Sequence, residues 1–479
     1  MSNWLPVLIA LAATAWALFG LWAAGHALLY KRDPRSALGW LAVCLLMPYV
    51  GPLIYVLFGI NRIGRHANQA GRFPASAYSR APSGDQLETE LSSRDDHFIR
   101  ISSQVAHRPM VEGNQVETYF KGEDAYAEML AAIQRAEQRV YLASYIFKTD
   151  KTGKQFIKVL QDATERGVEV RVLIDGAGEL YSLPRVTRLL ERAGVRQARF
   201  IPLRLIPPSL HLNMRNHRKL LIVDGTTSFT GGMNIGDHHI ADRHGKTPVV
   251  DMHFRLTGPV ITQLEQAFTE DWHFATDQHV PVSDTDPAKE SSATSTGPAA
   301  CRVITDGPDD DLGKLGLVMQ TAISAAQQSV RIMTPYFLPT TEMIAAIKSA
   351  SLRGVVVDII LPAKSNLRYV DWATRNLLWE ILRWNVNVYY QPPPFAHSKL
   401  FIIDEHYAQI GSANIDPRSL RLNFEIAVEV LNDEFALQLS RHCTEVISHS
   451  RRVTLQEVDS RSHPIRIRDS IAWLFSPYL

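Results

Sequence analysis

The sequence contains little cysteine and almost no net charge. Only three of its 479 residues are cysteine (Cys44, Cys301 and Cys443), and their number and scatter predict reduced structural thiols rather than a disulfide framework or a zinc site. Lys and Arg total 50 and Asp and Glu total 49, so a broad basic surface for binding nucleic acid is not expected. Hydrophobic residues make up 46%, which excludes wholesale disorder.

Formal charge is absent from two long stretches near the N-terminus, Leu5 to Leu29 and Ala37 to Ile60. A helix rises 1.5 Å per residue, so each stretch is long enough to cross about 30 Å of hydrocarbon. The polar residues 31–35 lie between them, which predicts a transmembrane helical hairpin over 1–60. Residues 1–4 contain no Lys or Arg, and this argues against a cleaved signal peptide.

Two details of this hairpin stay open. Pro48 and Pro52 interrupt the second stretch, so a kinked or re-entrant helix is an alternative to a straight span. The charge bias that sets orientation is small. The turn carries three basic residues and the C-terminal flank carries four, Arg62, Arg65, Arg72 and Arg80. This favours a flank on the cytoplasmic side.

The rest of the chain divides by composition and repeats itself. We predict a connector over 61–110, a first domain over 111–275, a linker over 276–298, and a second domain with a C-terminal tail over 299–479. In both domains a helix-like stretch precedes an apolar strand-like run, and Tyr145 and Tyr336 fall at matching places in the two runs. The alternation of strands and helices predicts two α/β domains, each with a mostly parallel sheet.

The repeat becomes unambiguous at one motif. His217, Lys219 and Asp224 are followed by Gly231 and Asn234. The five equivalents in the second half are each displaced by 180 positions: His397, Lys399, Asp404, Gly411 and Asn414. One copy of such a pattern is weak evidence, and a lone buried His or Lys is usually structural. Two copies with identical spacing predict a function.

Strand geometry suggests what the motif does. His and Lys two residues apart point to the same side of an extended chain, and four apolar residues then form a buried strand. Two such halves facing each other give two imidazoles, two ammonium groups and the two amides of Asn234 and Asn414. This set suits a phosphodiester, because Lys and Asn stabilise the non-bridging oxygens while one His attacks phosphorus and the other protonates the leaving oxygen. The Asp of each motif is predicted to hold a neighbour or cap a turn.

Carboxylates that orient the imidazole rings complete the predicted site. Glu425 follows the second motif in Asn423-Phe424-Glu425, and Asp251 occupies the corresponding place after the first. Gly231, Gly411 and Ser412 are expected to support the site. No nucleotide is expected, because the sequence has no P-loop, and no metal is expected, because no carboxylate cluster suited to magnesium accompanies the motifs.

The duplicated H-x-K-x-x-x-x-D with G-x-x-N resembles the phospholipase D superfamily. The second copy is a full version of its signature, from Gly411 through Ser419 with Asn423 and Glu425. Together with the two-helix anchor and the domain order, the chain resembles the bacterial cardiolipin synthases over essentially its whole length. The resemblance implies two phospholipase D-like domains related by pseudo-two-fold symmetry and no cofactor.

The resemblance also implies a reaction. One phosphatidylglycerol gives its phosphatidyl group to a histidine and releases glycerol, and a second phosphatidylglycerol accepts the group to form cardiolipin. Family precedent makes His217 the nucleophile and His397 the acid and then the base. The first copy has Gly232-Met233 in place of Ser-x and has no Asn-x-Glu, so the carboxylate partner of its histidine is left open. A hydrolase using water, or another phosphatidyltransferase, is the alternative.

The implied partners are phosphatidylglycerol, cardiolipin, glycerol and the lipid bilayer, without nucleic acid. The implied location is the bacterial inner membrane, with the catalytic domains on the cytoplasmic side of a multi-pass protein. Two further segments are candidates for membrane contact. One is the insertion 203–213, for which a plain surface loop is equally expected, and the other is the tail 465–479, for which packing on the second domain is at least as expected.

Overall fold

The computed structural model describes residues 4–31, 34–59, 96–202, 214–241, 248–281, 297–307 and 313–476. These residues belong to two compact units. One holds the N-terminal helices, and the other, the α/β unit, holds the described residues from 96 onward. The insertion 203–213 lies outside the described residues, as do most of the predicted connector and linker.

The N-terminal unit contains one long helix and a broken second segment. Its helices are α1 (Trp4–Tyr30), α2 (Pro34–Leu46), α3 (Gly51–Ile54) and a π-helical turn (Tyr55–Gly59). Pro6–Tyr30 is long and apolar enough to cross a membrane, and among the described residues it is the one helix that is. The 13 residues of α2 extend only about 20 Å. The predicted second uninterrupted span is therefore not observed.

The break has a local cause. The chain turns at Met47–Val50, where Pro48 cannot donate a backbone hydrogen bond. A Cβ at Gly51 would lie 2.1 Å from the carbonyl oxygen of Val43, so only glycine permits this close return of the chain onto α2. Trp16 Nε1 donates to the carbonyl of Pro48 at 2.8 Å, which joins the turn to α1. The sequence alternative of a kinked segment is the one observed.

The strands of the α/β unit form two large sheets and one two-stranded sheet, in which β8 pairs with β14. The strands are β1 (Val111–Gly113), β2 (Gln115–Tyr119), β3 (Arg139–Ser144), β4 (Glu169–Asp175), β5 (Arg196–Phe200), β6 (Leu220–Val223), β7 (Thr227–Gly231), β8 (Val249–Val250), β9 (His253–Thr257), β10 (Gly297–Asp306), β11 (Ser329–Met333), β12 (Val356–Pro362), β13 (Asn387–Gln391), β14 (Phe395–Ala396), β15 (Leu400–Ile403), β16 (Tyr407–Gly411), β17 (Glu425–Leu431) and β18 (Arg451–Arg452). The first sheet has the order β2-β9-β7-β6-β3-β4-β5. The second has the order β1-β10-β17-β16-β15-β11-β12-β13-β18. Seven consecutive strands of the second sheet repeat the first, which is the predicted duplication.

The helices repeat in the same way. They are α4 (Asp96–Ala106), α5 (Gly122–Arg135), α6 (Lys151–Glu165), α7 (Val186–Arg192), α8 (Val260–Thr276), α9 (Lys314–Ala325), α10 (Thr341–Leu352), α11 (Arg368–Leu377), α12 (Trp379–Leu382), α13 (Pro417–Arg421), α14 (Asp433–Ser448), α15 (Leu455–Asp459) and α16 (His463–Leu474). In the first half α5 and α6 flank β3, and in the second half α9 and α10 flank β11. The two copies are therefore one α/β arrangement used twice.

The prediction of mostly parallel sheets is wrong. In each copy only three adjacent strands are parallel, β3-β4-β5 in the first and β11-β12-β13 in the second. The other pairs of the repeated strands are antiparallel. The reason is that each motif strand turns back in a tight hairpin, β6 to β7 and β15 to β16, which makes adjacent strands antiparallel.

One shared core joins the two sheets. Buried residues from the inner faces of both sheets pack in a single cluster with α8 and α14, among them Phe268, Trp272 and Leu439. Separate clusters cover the outer face of each sheet. The predicted domains are thus two layers of one unit rather than two separate bodies.

The predicted boundary between connector and first domain also differs from the structure. Residues 96–106, expected to belong to a connector, form α4. Its Phe98 and Ile99 pack in the outer core of the second half. Strand β1, expected to open the first domain, pairs with β10 in the second sheet. Apolar residues spaced along α4 explain the packing, because they give the helix one apolar face.

Candidate active site

The two motif histidines lie just before the strands β6 and β15. Each of those strands consists of four apolar, buried residues, and their packing in the core fixes the position of the segment that carries the histidine. The residues before each histidine pair with the other half of the chain. The backbone N–H of His217 donates to the carbonyl of Phe424 at 2.9 Å, and that of His397 donates to the carbonyl of Val250 at 2.7 Å. The two halves therefore exchange backbone hydrogen bonds at the site.

The carboxylates pair across the halves in the same way. His217 Nδ1 lies 3.0 Å from Oε1 and 3.1 Å from Oε2 of Glu425, which belongs to the second half. His397 Nδ1 lies 2.7 Å from Oδ2 of Asp251, which belongs to the first half. The partner left open for His217 in the sequence is thus the carboxylate of the opposite copy. With Nδ1 facing a carboxylate, Nε2 of each ring is the nitrogen left for chemistry, and Lys399 Nζ lies 3.3 Å from Nε2 of His397.

The lysines lie beside the histidines. Lys219 Nζ donates to the carbonyl of His217 at 2.6 Å, and Lys399 Nζ donates to the carbonyl of His397 at 2.5 Å. Lys399 Nζ also lies 2.9 Å from Nδ1 of His397. Burial lowers the pKa of Lys219 to about 7. The charge of Lys399 lowers this pKa further, whereas the charge of Glu425 raises it. Burial also lowers the pKa of Lys399. Each ammonium group is thus poised to gain stability from a bound anion.

The histidine and carboxylate charges fit a site that starts with neutral rings. Burial lowers the pKa of His217, although Glu425 opposes the shift. Burial and Lys399 lower the pKa of His397 to about 4. For Asp251, burial alone would raise the pKa, but Lys399 and His397 outweigh it and the pKa falls to about 2. Lys399 affects His217 and Lys219 affects His397, so the charges of both halves act in one site.

The glycines and the serine act through shape and hydrogen bonding. Gly231 and Gly411 have φ of 149° and 152°, and a Cβ at either would lie within 2.7 Å of a carbonyl oxygen on the neighbouring strand. Only glycine fits this turn without strain. Ser412 Oγ donates to Glu425 Oε2 at 2.5 Å and so holds the carboxylate that faces His217.

The two asparagines are not equivalent. Asn234 Oδ1 accepts a hydrogen bond from the backbone N–H of Ile146 at 3.0 Å, so this side chain is already used to hold the loop after β3. Asn414 Nδ2 donates to Ser419 Oγ at 3.2 Å, and its buried Oδ1 has no protein partner. Binding of the substrate phosphate by Asn234 and Asn414 stays a prediction.

The motif aspartates lie at the far end of their strands and do not join the site. Asp224 accepts hydrogen bonds from the backbone N–H groups of residues 137–139, and Asp404 accepts them from residues 327–329, at 2.7–3.0 Å. Each aspartate follows its lysine by five positions of extended chain, which is roughly 16 Å. A catalytic role for the two aspartates stays a prediction that these contacts do not support. The structure supports the other expectation, that they hold a neighbour.

Comparison with known families identifies the arrangement. The family described as "Cardiolipin synthase, PLD-like domain" matches residues 129–272 and 319–447. A second, described as phospholipase D-nuclease N-terminal, matches residues 13–59. The chain belongs to the cardiolipin synthase family. Its predicted membership of the phospholipase D superfamily is thereby confirmed.

Similar proteins match over nearly their whole length. The chain is 32% identical to "Major cardiolipin synthase ClsA" of Bacillus subtilis, covering 94% of this chain and 95% of that protein. It is 31% identical to a "Cardiolipin synthase A" of Pseudomonas putida, covering 96% of each. Among solved structures, phosphatidylserine synthase of Haemophilus influenzae Rd KW20 superposes with a TM-score of 0.62 at 14% identity, covering 80% of this chain and all of that one. That likeness shows the fold alone.

Three residues of this cardiolipin synthase site were not predicted as members. The rings of Tyr145 and Tyr336 lie edge-on to His217 and His397, with centroids 5.2 and 6.3 Å apart. The signal was available, since both tyrosines follow equivalent strands. The third is His253, a buried histidine whose Nδ1 has no protein partner. Burial lowers its pKa to about 4, and Asp251 and Lys219 are close enough to contribute. Nothing in its spacing marked it.

Among the described residues, no group of three or more His, Cys, Asp or Glu side chains is arranged to hold a metal ion. The three cysteines are free and buried, as the reduced-thiol prediction requires.

Proposed function

We propose that this chain transfers a phosphatidyl group between two molecules of phosphatidylglycerol, giving cardiolipin and glycerol. The crossed pairing of each histidine with the carboxylate of the other half is the observation that carries the proposal. It gives two imidazoles whose Nδ1 atoms are held and whose Nε2 atoms are available, beside two lysines. Such a site can run a double displacement, in which one ring attacks and the other moves the proton.

In the first step His217 Nε2 attacks phosphorus while His397 donates a proton to the glycerol oxygen. The N–P bond forms as the P–O bond to glycerol breaks, and the Nδ1–H of His217 donates to Glu425, which stabilises the positive ring. Lys219 and Lys399 stabilise the charge on the non-bridging oxygens. The pKa of His397 is low before substrate binds, and the arriving phosphodiester anion raises it toward the range that a general acid needs.

The second step is the reverse with a different alcohol. A second phosphatidylglycerol offers its terminal hydroxyl, and neutral His397 removes the hydroxyl proton as the oxygen attacks phosphorus. The P–O bond of cardiolipin forms, the N–P bond breaks, and His217 returns to its starting state. One phosphodiester replaces another, so no nucleotide is needed.

The test is to incubate the full chain, purified in detergent, with phosphatidylglycerol alone. Mass spectrometry should find cardiolipin and glycerol in equal amounts, and excess glycerol should drive cardiolipin back to phosphatidylglycerol. Phosphatidic acid as the main product would instead assign a hydrolase. A requirement for CDP-diacylglycerol would overturn the proposal.

We also propose that both N-terminal segments lie in the bacterial inner membrane, the second as a broken helix, with the α/β unit on the cytoplasmic side. The small excess of basic residues after the hairpin and the free, buried cysteines support this orientation. Single cysteines at Lys31 and at exposed Leu352 test it in intact cells. An impermeant thiol reagent should label position 31 and not 352. Equal labelling, or the reverse, would contradict it.

A further inference from the structure

Exposed apolar side chains follow two equivalent strands of the α/β unit. After β4 come Leu180, Tyr181 and Leu183, with Leu183 88% exposed. After β12 comes Tyr369, in the corresponding connection of the second half, and it is 41% exposed. Near the C-terminal ends of β3 and β11, Ala143 and Met333 pair with Leu220 and Leu400, the first residues of the motif strands. Strands β4 and β12 run parallel to β3 and β11, so the connections after them begin at the same end of the sheets as the motif histidines.

Aromatic contacts connect these side chains to the two histidines. The ring of Tyr181 lies edge-on to that of Tyr145 with centroids 6.4 Å apart, and Tyr145 contacts His217. On the other side, Tyr336 contacts His397. Burial raises the pKa of Tyr336, and both Tyr181 and Tyr369 are close enough to raise it further. The exposed residues of both halves therefore lie near the two histidines.

The C-terminal helix α16 extends this surface. Its Ala472 packs with Val370 and Ala373 of α11, in the same small cluster that Tyr336 contacts. The helix thus packs on the second half, which was one of the two expectations for the C-terminal tail. Ile467 and Ile471, one helical turn apart, face away from this contact and are 62% and 52% exposed. We call the whole surface the apolar rim, comprising Leu180, Tyr181, Leu183, Tyr369, Ile467 and Ile471.

Basic side chains predominate around the apolar rim. Five exposed side chains in the three segments that carry the rim are basic: Arg185, Arg188, Lys364, Arg368 and Arg466. Exposed Glu191, near the end of α7, has the opposite charge, but two other acidic residues of these segments are turned inward. Glu179 is buried and paired with Arg199, and Asp469 is buried and paired with Arg461 and Arg468. An apolar surface flanked by basic residues complements an anionic lipid surface.

We propose that the apolar rim inserts into the surface of an anionic bilayer, so that the site formed by the two histidines faces the phospholipid headgroups. The proposal rests on the lipid substrates proposed above. Donor and acceptor both keep their acyl chains in the membrane during transfer, so apolar contact is needed on both sides of the site. The rim provides it from the first half and from the second.

Fluorescent labelling of the full chain tests the proposal without relying on turnover. Single cysteines are placed at Leu183 and Ile467 of the rim and at Leu352 as a control, in a His217→Ala background that keeps the lipid composition constant. Leu352 is 67% exposed but precedes β12, at the opposite sheet edge. The native cysteines are buried and free. Each variant carries an environment-sensitive dye and is reconstituted in vesicles with a quencher on the lipid.

We expect the quencher to reduce emission at 183 and 467 several-fold more than at 352, and more in vesicles with phosphatidylglycerol than in phosphatidylcholine alone. Equal quenching at all three positions would overturn the proposal. Shielding at 183 that depends on protein concentration and not on the lipid quencher would assign the rim to a second copy, and would also overturn it.

A kinetic experiment separates docking from folding. The double variant Leu180→Ser/Leu183→Ser should lower the rate on phosphatidylglycerol vesicles about tenfold, yet match the Leu352→Ser control on a short-chain, micelle-dissolved substrate. Equal losses on both substrates would mean a structural role and contradict docking. If the dyes enter the bilayer but no variant or parent makes cardiolipin, the proposed reaction fails and the docking surface stands.

Discussion

The two halves of the α/β unit share their strand order but differ behind the histidines. Glu425, which faces His217, also accepts hydrogen bonds from Ser412 and from Asn423 Nδ2 at 3.3 Å. Asp251, which faces His397, accepts one from its neighbour Met252 N–H at 2.8 Å, and the residue matching Ser412 is Gly232. A Cβ at Gly232 would lie 2.3 Å from the carboxylate of Asp251, so this half requires glycine where the other uses serine.

A second difference lies on the strands that pair with β7 and β16, which are β9 and β17. Gly231 and Gly411 pair with His253 and Ala427 respectively, so a buried imidazole stands in the first half where the second has a methyl group. Duplication preserved the backbone while the groups behind each histidine diverged. This difference fits a division of labour in which the two histidines do different work.

Loss of either histidine should have the largest effect. His217→Ala and His397→Ala should each lower transfer about 10⁴-fold or more, and the double variant should lose no more than one of them. Trapping should separate the roles, with labelled phosphatidyl groups found on His217 after rapid denaturation in alkali. Substantial turnover in either single variant would contradict a shared centre, and label on His397 would reverse the assignment.

Substitution of the two carboxylates should have the next largest effect on transfer and should show whether the two histidines have different roles. Glu425→Gln and Asp251→Asn should each cost about 10²- to 10⁴-fold, because each leaves its ring without an anionic partner. A phosphatidyl substrate with a good leaving group, such as nitrophenol, needs no proton on departure. It should restore the first step in Asp251→Asn but not in Glu425→Gln. Ser412→Ala is the mild control. Equal rescue of both variants would mean that the roles are not divided.

Each lysine should contribute about 10²- to 10³-fold, measured as the loss of kcat/KM in Lys219→Met and Lys399→Met. Because the pKa of Lys219 is lowered to about 7, its ammonium form is present below that pH and is lost above it. The parent enzyme should therefore lose kcat/KM as pH rises through about 7 to 8. An activity profile that stays flat to pH 9 would show that Lys219 does not bind the phosphate in its charged form.

The motif aspartates should affect stability rather than rate. Asp224→Asn and Asp404→Asn each weaken three backbone hydrogen bonds, and we expect each to lower the free energy of unfolding of the α/β unit by about 1–3 kcal/mol. Activity of the folded enzyme should stay within about twofold of the parent. Urea titration followed by circular dichroism gives the first quantity. A large rate loss without destabilisation would return these residues to the catalytic set.

The smallest expected effect is that of EDTA. Lys219 and Lys399 supply the positive charge that a divalent ion would otherwise bring to the phosphate. Cardiolipin formation should therefore be unchanged by chelation, and Mg²⁺ added afterwards should not raise it. A strict metal requirement would overturn this part of the mechanism.

The sequence allowed the duplicated α/β fold and the residues His217, Lys219, His397 and Lys399 to be predicted, because they depend on local spacing. The pairing of each histidine with a carboxylate of the other half could not be predicted from the sequence. His217 and Glu425 are 208 residues apart, and only the tertiary arrangement decides which histidine a carboxylate faces. The distance of Asp224 from the histidines was also beyond prediction from the sequence, because a motif gives residues in order and does not show that four strand residues separate Asp224 from Lys219.

The crossed pairs also set the time at which the enzyme becomes active during its synthesis. His217 is made 208 residues before the carboxylate that it needs. At translation speeds of about 5–20 residues per second, this delay lasts about 10–40 seconds. Helix α1 is made before that interval and the last strand of the first sheet, β9, is made within it, yet the reactive ring has no partner. A growing chain therefore reaches the membrane, and the lipids on which it will act, well before it is able to modify them.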